Sequence, residues 1–376
     1  MKRIIEQLQK LDIKFITGVP DSTLSTFLSE LQSSSSIFNL QVTPNEGNAI
    51  GLAAGYYLGT GKPALVYMQN SGLPNALNPL ASLAHRDVYG IPMIMFIGWR
   101  GSYDEMNQQL HDEPQHLIQG AITRNQLRDL SIPFEVADKD LHIFVEQISN
   151  MHSLSLKERT PTAILIGPGI LDGQKQKSAE GTSLLSSEEV IRATIDVLDK
   201  KSVLVGSTGM IARELLKISN ETENFPHSIF LNIGAMGHSS AIAKGIALTN
   251  HDTPVICFDG DGSLAMHFGT ISMLENLPNF KHVIINNKSH DSVGGQSTSF
   301  GKHDLSAVLS DFAFGRFECI TRIDSDSRGR MKELIIDNQS CTLEFKCGSR
   351  SSHNLPRPSV PPRDLTLEFL SNLCSE

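Results

Sequence analysis

The most constraining feature of the chain is a pair of apolar runs that each end in polar or glycine residues. Residues 255–258 lead into Gly260-Asp261-Gly262, and residues 283–285 lead into Asn286 and Asn287. Short apolar runs separated by about one helix are typical of a doubly wound parallel sheet, whose strand carboxyl ends open into a ligand-binding crevice. We therefore expect a carboxylate and an amide oxygen to lie side by side at one sheet edge.

The residues at these strand ends have the chemistry of a metal-diphosphate site. Asp261 and Asn287 offer hard oxygen donors, which suit Mg²⁺ because this ion keeps few protein ligands and takes the rest from phosphate and water. Gly260 and Gly262 allow backbone N–H groups to approach a diphosphate closely. Gly-Asp-Gly alone is common and mostly marks a turn, so the prediction depends on the second strand as well.

The overall composition limits the kinds of partner. The 376 residues suffice for two domains, and a net charge of −9 without a basic stripe makes a nucleic-acid partner unfavourable. The five cysteines are odd in number and contain no C-x-x-C, which favours a reducing cytoplasm and argues against disulfides and zinc. We find neither a membrane-length apolar run nor a signal-peptide core, so we expect a soluble, cytoplasmic protein without a membrane partner.

The two halves of the chain repeat one plan. A helix rich in small residues precedes a loop containing Pro63 in the first half, and a similar helix precedes Pro254 in the second; an apolar strand follows in each case. Residues 172–185 lack apolar periodicity and are predicted to be a linker. The fold class is therefore predicted to be α/β, with one doubly wound parallel-sheet domain at 1–171 and another at 186–376.

Polar residues follow predicted strands in the first half as well. Asp21 and Ser22 lie in a Gly/Pro loop after one strand, and Asn70 and Ser71 follow the strand at residues 64–68. Glu46 stands just ahead of the small-residue helix, where a carboxylate is ordinarily a cap that favours the helix dipole. The residues alone leave both the capping and the functional interpretation of Glu46 open.

Taken together, these motifs resemble the thiamine diphosphate-dependent decarboxylases. The resemblance implies a pyrimidine-binding domain at 1–171, a diphosphate-binding domain at 186–376, and no middle domain of the kind that larger relatives carry. Residues 316–338 match none of the family's motifs. The matching stretches are residues 18–22, 45–49, 67–72, 112–116, 119–120, 234–238, 260–262 and 292–296.

The resemblance also implies roles for individual residues around thiamine diphosphate and Mg²⁺. Glu46 is expected to share a proton with the pyrimidine ring, while Met236 separates the two rings of the cofactor and the Gly234 carbonyl accepts a hydrogen bond from it. The expected metal ligands are Asp261, Asn287 and the carbonyl of Ser289. Contacts to the cofactor's diphosphate group are expected from Gly260, Asp261, Gly262, Ser263 and Asn287.

The implied reaction is the decarboxylation of a 2-oxo acid. His116 and His290 are candidates for the proton transfers, because histidine titrates in the useful range. The implied substrate is 3-phosphonopyruvate, with sulfopyruvate as the alternative, and a homo-oligomer with cofactor at the subunit interface is expected. Candidate residues for the substrate's second anion are Asp21, Ser22, Asn70, Ser71 and Gln296.

Two hypotheses of other classes are less well supported. A non-catalytic binding protein of the same fold would tolerate loss of Glu46 or Asp261, and both are present. A nicotinamide-dependent dehydrogenase would need a Gly-x-Gly-x-x-Gly turn between a strand and a helix, and none is well placed.

Overall fold

The structure, a computed structural model, separates into two compact units, Met1–Lys177 and Ser178–Glu376. It describes residues 1–34, 36–171, 184–223, 225–274, 277–293, 295–312, 315–348, 355 and 359–373. Most of the predicted linker, residues 172–183, therefore lies outside the described residues. Among the described residues, no helix combines the length and the apolar character that crossing a bilayer requires.

The first unit alternates strands and helices along the chain. Its strands are β1 (Phe15–Gly18), β2 (Asn39–Val42), β3 (Ala64–Gln69), β4 (Met93–Gly98), β5 (Phe134–Val136) and β6 (Pro161–Ile166). Its helices are α1 (Lys2–Lys10), α2 (Ser25–Ser33), α3 (Glu46–Thr60), α4 (Leu73–Pro79), α5 (Pro114–Asp129) and α6 (Leu141–Glu158).

The strands of the first unit form one parallel sheet in the order β2-β1-β3-β4-β6-β5. Successive residues of a strand point to opposite faces, so Leu65 and Tyr67 of β3 pack in one apolar cluster while Val66 and Met68 pack in another. Helices cover both faces, which explains why the central strands β3 and β4 are almost entirely apolar, whereas the edge strand β2 alternates polar and apolar residues.

The second unit has the same plan. Its strands are β7 (Val203–Gly206), β8 (Ser228–Leu231), β9 (Val255–Gly260), β10 (Phe280–Asn286), β11 (Arg316–Ile320) and β12 (Cys341–Lys346). Its helices are α7 (Ser187–Asp196), α8 (Met210–Glu221), α9 (Ser239–Ala247), α10 (Asp261–Met266), α11 (Leu305–Phe312), α12 (Ser325–Ile336) and α13 (Pro362–Leu373).

The two sheets share one topology. The second sheet is parallel and has the strand order β11-β12-β10-β9-β7-β8. If β7 is counted as the first strand and the sheet is read from the β8 edge, this order is 2-1-3-4-6-5. The first sheet has that same order. The segment 316–338, which matched no motif, contributes β11 and α12 to this repeat. The prediction of two doubly wound α/β domains is therefore confirmed.

The strand order also places the ligand crevices. In a sheet with the strand order 2-1-3-4, strand 2 lies on one side of strand 1, and strands 3 and 4 lie on the other. The connections that follow strands 1 and 3 therefore run in opposite directions, and a crevice opens between the carboxyl ends of these two strands. In the first unit these are the ends of β1 and β3, which lead to Asp21 and Asn70. In the second unit they are the ends of β7 and β9, and β9 leads directly to Asp261.

Candidate functional site

In the first unit, Glu46 is a buried carboxyl group at the start of α3. Asn45 caps this helix by accepting a hydrogen bond from the Asn48 N–H at 2.9 Å, so Glu46 lies within the first turn. Glu46 is 4% exposed, and its Oε2 accepts a 2.9 Å hydrogen bond from Nδ2 of Asn75. Burial raises the pKa of Glu46, and the bond from Asn75 offsets only part of that rise. Such a carboxyl group is suited to exchange a proton with a bound ligand, because burial disfavours its charged form.

The space for this carboxyl group is created by Gly72. A Cβ at position 72 would lie 2.1 Å from Oε1 of Glu46, so any side chain there would displace the carboxyl group. Asn70, Ser71 and Gly72 form a short 3₁₀ turn directly after β3. The sequence motif that follows β3 therefore has a packing function that the sequence did not reveal.

Asp21 is a second buried acid at the same sheet edge. It is fully buried, its Oδ2 accepts a 3.0 Å hydrogen bond from the Thr23 N–H, and its Oδ1 has no hydrogen-bond partner among the described residues. Burial raises the pKa of Asp21 to about 6, although the positive charge of Arg100 lowers it. Ser22, next to it, is exposed.

The amide of Asn70 is committed to the neighbouring loop. Its Oδ1 accepts from the Arg100 N–H at 3.1 Å, and its Nδ2 donates to the Arg100 carbonyl and to Oγ1 of Thr123, both at 3.0 Å. Asn70 is fully buried, so this geometry makes it a support for the loop after β4. The hydroxyl of Ser71 accepts a 2.5 Å bond from Nε2 of Gln69.

Arg100, which the sequence analysis did not single out, is the cation at this edge. Its Nε donates to Oδ2 of Asp112 at 2.7 Å, and its Nη2 also binds that carboxylate. Burial alone would raise the pKa of Asp112, but the hydrogen bonds from Arg100 and the Glu113 N–H lower it to about 2. Asp261 was identified as a charged residue close behind a buried parallel strand. Arg100 follows the end of β4 by two residues, so the same criterion would have identified it.

His116 lies on α5 beside the same loop. A Cβ at Gly101 would lie 2.1 Å from the His116 carbonyl, and one at Gly120 would lie 2.0 Å from the Gly101 carbonyl. These two glycines let α5 pack against the loop backbone. The His116 ring is 14% exposed, with Nε2 3.9 Å from a carboxylate oxygen of Glu113.

In the second unit, Asp261 begins α10 and is almost fully buried. Its Oδ2 accepts a 2.5 Å hydrogen bond from Oγ1 of Thr298. Burial raises the pKa of Asp261 to about 6, although bonds from Thr298 and the Asn287 backbone lower it. Among the described residues, no ion pair gives Asp261 a cationic partner. A buried carboxylate without a counter-charge suits a bound metal ion, so the residues fit the Mg²⁺ that the resemblance implies.

The loop after β10 brings further predicted residues to Asp261. Oδ1 of Asn287 accepts from the Ser289 N–H at 3.0 Å, and its Nδ2 donates to Asp291 at 2.8 Å. The His290 N–H donates to the Gln296 carbonyl at 2.8 Å, which closes the loop. A Cβ at Gly262 would lie 2.8 Å from the His290 ring, so ring and glycine are in close contact.

Several polar groups of this loop have no hydrogen-bond partner among the described residues. They are Oγ of Ser289 and both amide atoms of Gln296, which is 3% exposed. Buried polar groups are normally satisfied, so these atoms fit a site that receives a ligand. Burial lowers the pKa of His290 to about 4, which leaves its ring neutral at neutral pH.

The turn between β8 and α9 contacts the start of α10, where Asp261 lies. Gly237 has a positive φ of 85°, and its N–H donates to Oγ of Ser263 at 3.2 Å. Gly234 is exposed and its carbonyl accepts from the Met236 N–H at 3.1 Å, while Met236 is half-buried. The second unit thus brings together the predicted residues Gly234, Met236, 260–263, Asn287, Ser289, His290 and Gln296.

Asn232, also missed from the sequence, holds this turn. Its Nδ2 donates to the Ala235 carbonyl at 2.7 Å and to Oγ of Ser239 at 2.9 Å, and its Oδ1 accepts from the Ala235 N–H at 3.0 Å. The sequence offered no signal for it beyond its position after a strand.

Two family models match the chain, one in each unit. The N-terminal TPP binding domain of thiamine pyrophosphate enzymes matches residues 1–123, and their C-terminal TPP binding domain matches residues 205–317. The matched ranges contain Glu46 and Asp261, respectively.

Similarity to individual proteins extends over the whole chain. A phosphonopyruvate decarboxylase of Streptomyces viridochromogenes is 29% identical over 97% of this chain and 93% of its own length. A sulfopyruvate decarboxylase beta subunit of Methanocaldococcus jannaschii is 33% identical over 48% of this chain and 94% of its own length. A sulfopyruvate decarboxylase alpha subunit of Methanococcus maripaludis is 34% identical over 41% of this chain and 86% of its own length.

Proposed function

The chain belongs to the thiamine diphosphate-dependent decarboxylases, and on that premise we propose that it removes CO₂ from 3-phosphonopyruvate to give phosphonoacetaldehyde. The observation that carries the proposal is the buried Glu46 carboxyl group, whose pKa is raised by burial and whose space is provided by Gly72. The full-length similarity to a phosphonopyruvate decarboxylase supports the choice of substrate. The reaction would be a step of phosphonate biosynthesis, such as that of 2-aminoethylphosphonate, in the cytoplasm.

The second unit would hold the charged end of the cofactor. Asp261, Asn287 and the Ser289 carbonyl would bind Mg²⁺, and the backbone from Gly260 to Ser263 would face the diphosphate. Met236 and the Gly234 carbonyl would contact the rings. When bound, thiamine diphosphate supplies the electron sink that stabilises the carbanion left by departing CO₂.

Glu46 would manage a proton at the pyrimidine ring. Burial raises the pKa of this carboxyl group, so protonating it costs less than protonating a carboxylate in water. Asn75 donates to Oε2 at 2.9 Å and so fixes the orientation of the group. His116 and His290 remain the proposed groups for the later proton transfers; His290 is neutral at neutral pH and would act as an acceptor first.

The second anion of the substrate would be recognised at the edge of the first sheet. Arg100 supplies positive charge there, and Asp21, with a pKa of about 6, can donate from its protonated form. We assign Asn70 an indirect role, because its amide binds the Arg100 backbone. Ser22 and Ser71 stay proposed contacts at this edge. Gln296, in the second unit, also stays a proposed contact, because its buried amide has no hydrogen-bond partner among the described residues.

A homo-oligomer with the cofactor at the subunit interface remains part of the proposal. Gly51, Gly55 and Gly59 recur every fourth residue along α3, and a Cβ at each would meet no atom of the described residues within 4 Å. Leu52 and Leu58 of the same helix are 43% and 70% exposed. An open glycine row with exposed leucines beside it would allow a second copy to approach the backbone closely.

The deciding experiment measures CO₂ release from 3-phosphonopyruvate and from sulfopyruvate with thiamine diphosphate and Mg²⁺ present. We expect faster turnover of 3-phosphonopyruvate, and omission of either cofactor should abolish it. Faster turnover of sulfopyruvate would instead assign the sulfonate substrate. Tight cofactor binding without turnover of either acid would favour a non-catalytic binding protein.

A further inference from the structure

Three chemically reactive side chains meet on one face of the second sheet. Cys257 and Asp259 are two residues apart on β9 and so point to the same face, and the strand register pairs Cys257 with His282 of β10. Their ligand atoms, one sulfur, one carboxylate oxygen and one ring nitrogen, all lie within 4.8 Å of one another. Each residue is at most 1% exposed.

Three polar atoms of this cluster make no hydrogen bond to any residue that the structure describes. Neither oxygen of Asp259 nor Nε2 of His282 has a hydrogen-bond partner among the described residues, and the two groups approach to 3.5 Å. The face around them is apolar, with Val203, Val205 and Phe280 in the same cluster as Cys257. Burying carboxylate and imidazole atoms without hydrogen bonds is costly, so a group that binds both Asp259 and His282 would stabilise this part of the core.

The nearest lysine in the sequence does not supply that charge. Lys281 adjoins His282, and successive residues of a strand point to opposite faces. Its Nζ donates instead to the carbonyls of Asp337 at 2.7 Å and Leu334 at 3.3 Å.

We propose that Cys257, Asp259 and His282 bind a structural zinc ion. Thiolate, carboxylate and imidazole are the protein ligands that Zn²⁺ takes. The thiol would release its proton to solvent on binding. The negative charges of the thiolate and the carboxylate then balance the two positive charges of the ion, so the buried site is electrically neutral. The Asp259 and His282 atoms that lack hydrogen bonds among the described residues would become metal ligands.

This site is distinct from the proposed magnesium site. Cys257 and Asp259 precede Asp261 by four and two residues, roughly 13 and 7 Å at the usual rise of a strand. A soft sulfur ligand disfavours Mg²⁺ and favours zinc. Bound zinc would link β9 and β10 within the core, and these are the two strands whose carboxyl ends present Asp261 and Asn287.

Sequence spacing could not reveal such a site. The ligands are a single cysteine, an aspartate two residues later and a histidine on the next strand along the chain, and none forms a C-x-x-C. Only the parallel register of β9 and β10 brings them together.

The first test measures zinc by mass spectrometry in the full chain, expressed with added zinc, free of histidine tags and passed through a desalting column. We expect about one ion per chain, and at least about a tenfold loss in Cys257→Ala and Asp259→Asn. Cys341→Ala is the matched control, because Cys341 is equally buried in the same sheet. Wild-type protein without zinc, or unchanged zinc in both ligand variants, would overturn the proposal.

The second test does not depend on any variant folding. Wild-type chain expressed with cobalt in place of zinc should show the intense thiolate-to-cobalt absorption of a sulfur-ligated ion, and excess Mg²⁺ should leave that band unchanged. Absence of the band would overturn the site. Asp261→Ala should retain zinc while losing cofactor, so a failure here is separable from a failure of the proposed decarboxylase function.

Discussion

A Cβ at Gly72 would lie 2.1 Å from Oε1 of Glu46, so the carboxyl group occupies the space that any side chain at position 72 would require. The turn after β3 and the first turn of α3 are therefore packed against each other through one buried acid. Asn75, at the start of α4, completes the arrangement with a hydrogen bond to Oε2. The position of the proposed proton-sharing group thus depends on residues that would not themselves react.

Replacing Gly72 with alanine should reduce turnover far more than it reduces stability. The carboxyl group can swing away, so we expect a loss of about 1–3 kcal/mol of unfolding free energy but about a hundredfold lower turnover, because a small displacement of a reacting group is costly. Gly329→Ala is the control, since a Cβ there meets nothing within 4 Å. It should keep full turnover and stabilise α12 by about 0.5–1 kcal/mol. Normal turnover in Gly72→Ala would show that Glu46 need not occupy its observed position.

Changes at Glu46 and Asp261 should separate chemistry from cofactor retention. Glu46→Gln keeps the size of the side chain and a hydrogen-bond acceptor for Asn75, so cofactor affinity measured by calorimetry should change little. Turnover should fall at least about a hundredfold, because the shared proton is lost. Asp261→Ala should weaken cofactor binding by at least about tenfold. Asp252→Ala, in an exposed loop, is the control for both. Full turnover in Glu46→Gln would contradict the proton role.

The buried carboxyl of Asp21 should make stability pH-dependent. Its pKa is about 6 in the folded chain and about 3.9 when unfolded. The folded state therefore binds more protons between these values, and this group's contribution to stability falls as pH rises from about 4 to 6. Asp21→Asn should be more stable than wild type at about pH 8, by at most roughly 3 kcal/mol. The gain should vanish near about pH 4. Urea denaturation at both pH values checks this, and a gain of equal size at both would contradict it.

Arg100→Lys should impair substrate recognition. Lysine keeps the charge but loses the fork that binds Asp112 through Nε and Nη2. We expect KM for 3-phosphonopyruvate to rise about tenfold or more, with a smaller change in kcat. Arg86→Lys is the control, because Arg86 lies far more exposed in a loose pair with Glu158. A stability loss with unchanged KM would instead make Arg100 purely structural.

A large charged residue on the glycine row of α3 should break the oligomer. Gly55→Arg places a long side chain where a second copy is proposed to pack, and light scattering should report a smaller particle with reduced turnover. Gly329→Arg, at another position where a Cβ meets nothing, should keep the wild-type mass. An unchanged mass in Gly55→Arg would exclude this face as the interface, and a fully active monomer would exclude an interfacial cofactor.

Local spacing was sufficient to predict much of the fold. The apolar runs within β3, β9 and β10 identified buried parallel strands. Strand-end residues such as Asp261 and Asn287 could also be placed together in advance. The reason is that all strands of a parallel sheet end at one edge, so a position at a strand end carries three-dimensional information.

The sequence by itself determined the α/β class, the duplication and the residues that belong to strand ends. Only the tertiary structure decided which residues meet: Asn70 bonds to the Arg100 backbone, Gly72 packs against Glu46, and the carboxyl group of Asp259 lies 3.5 Å from the ring of His282. The two residues of each pair are tens of residues apart in the sequence. Their meeting depends on strand order and register, which result from packing of the whole core and leave no trace in local spacing.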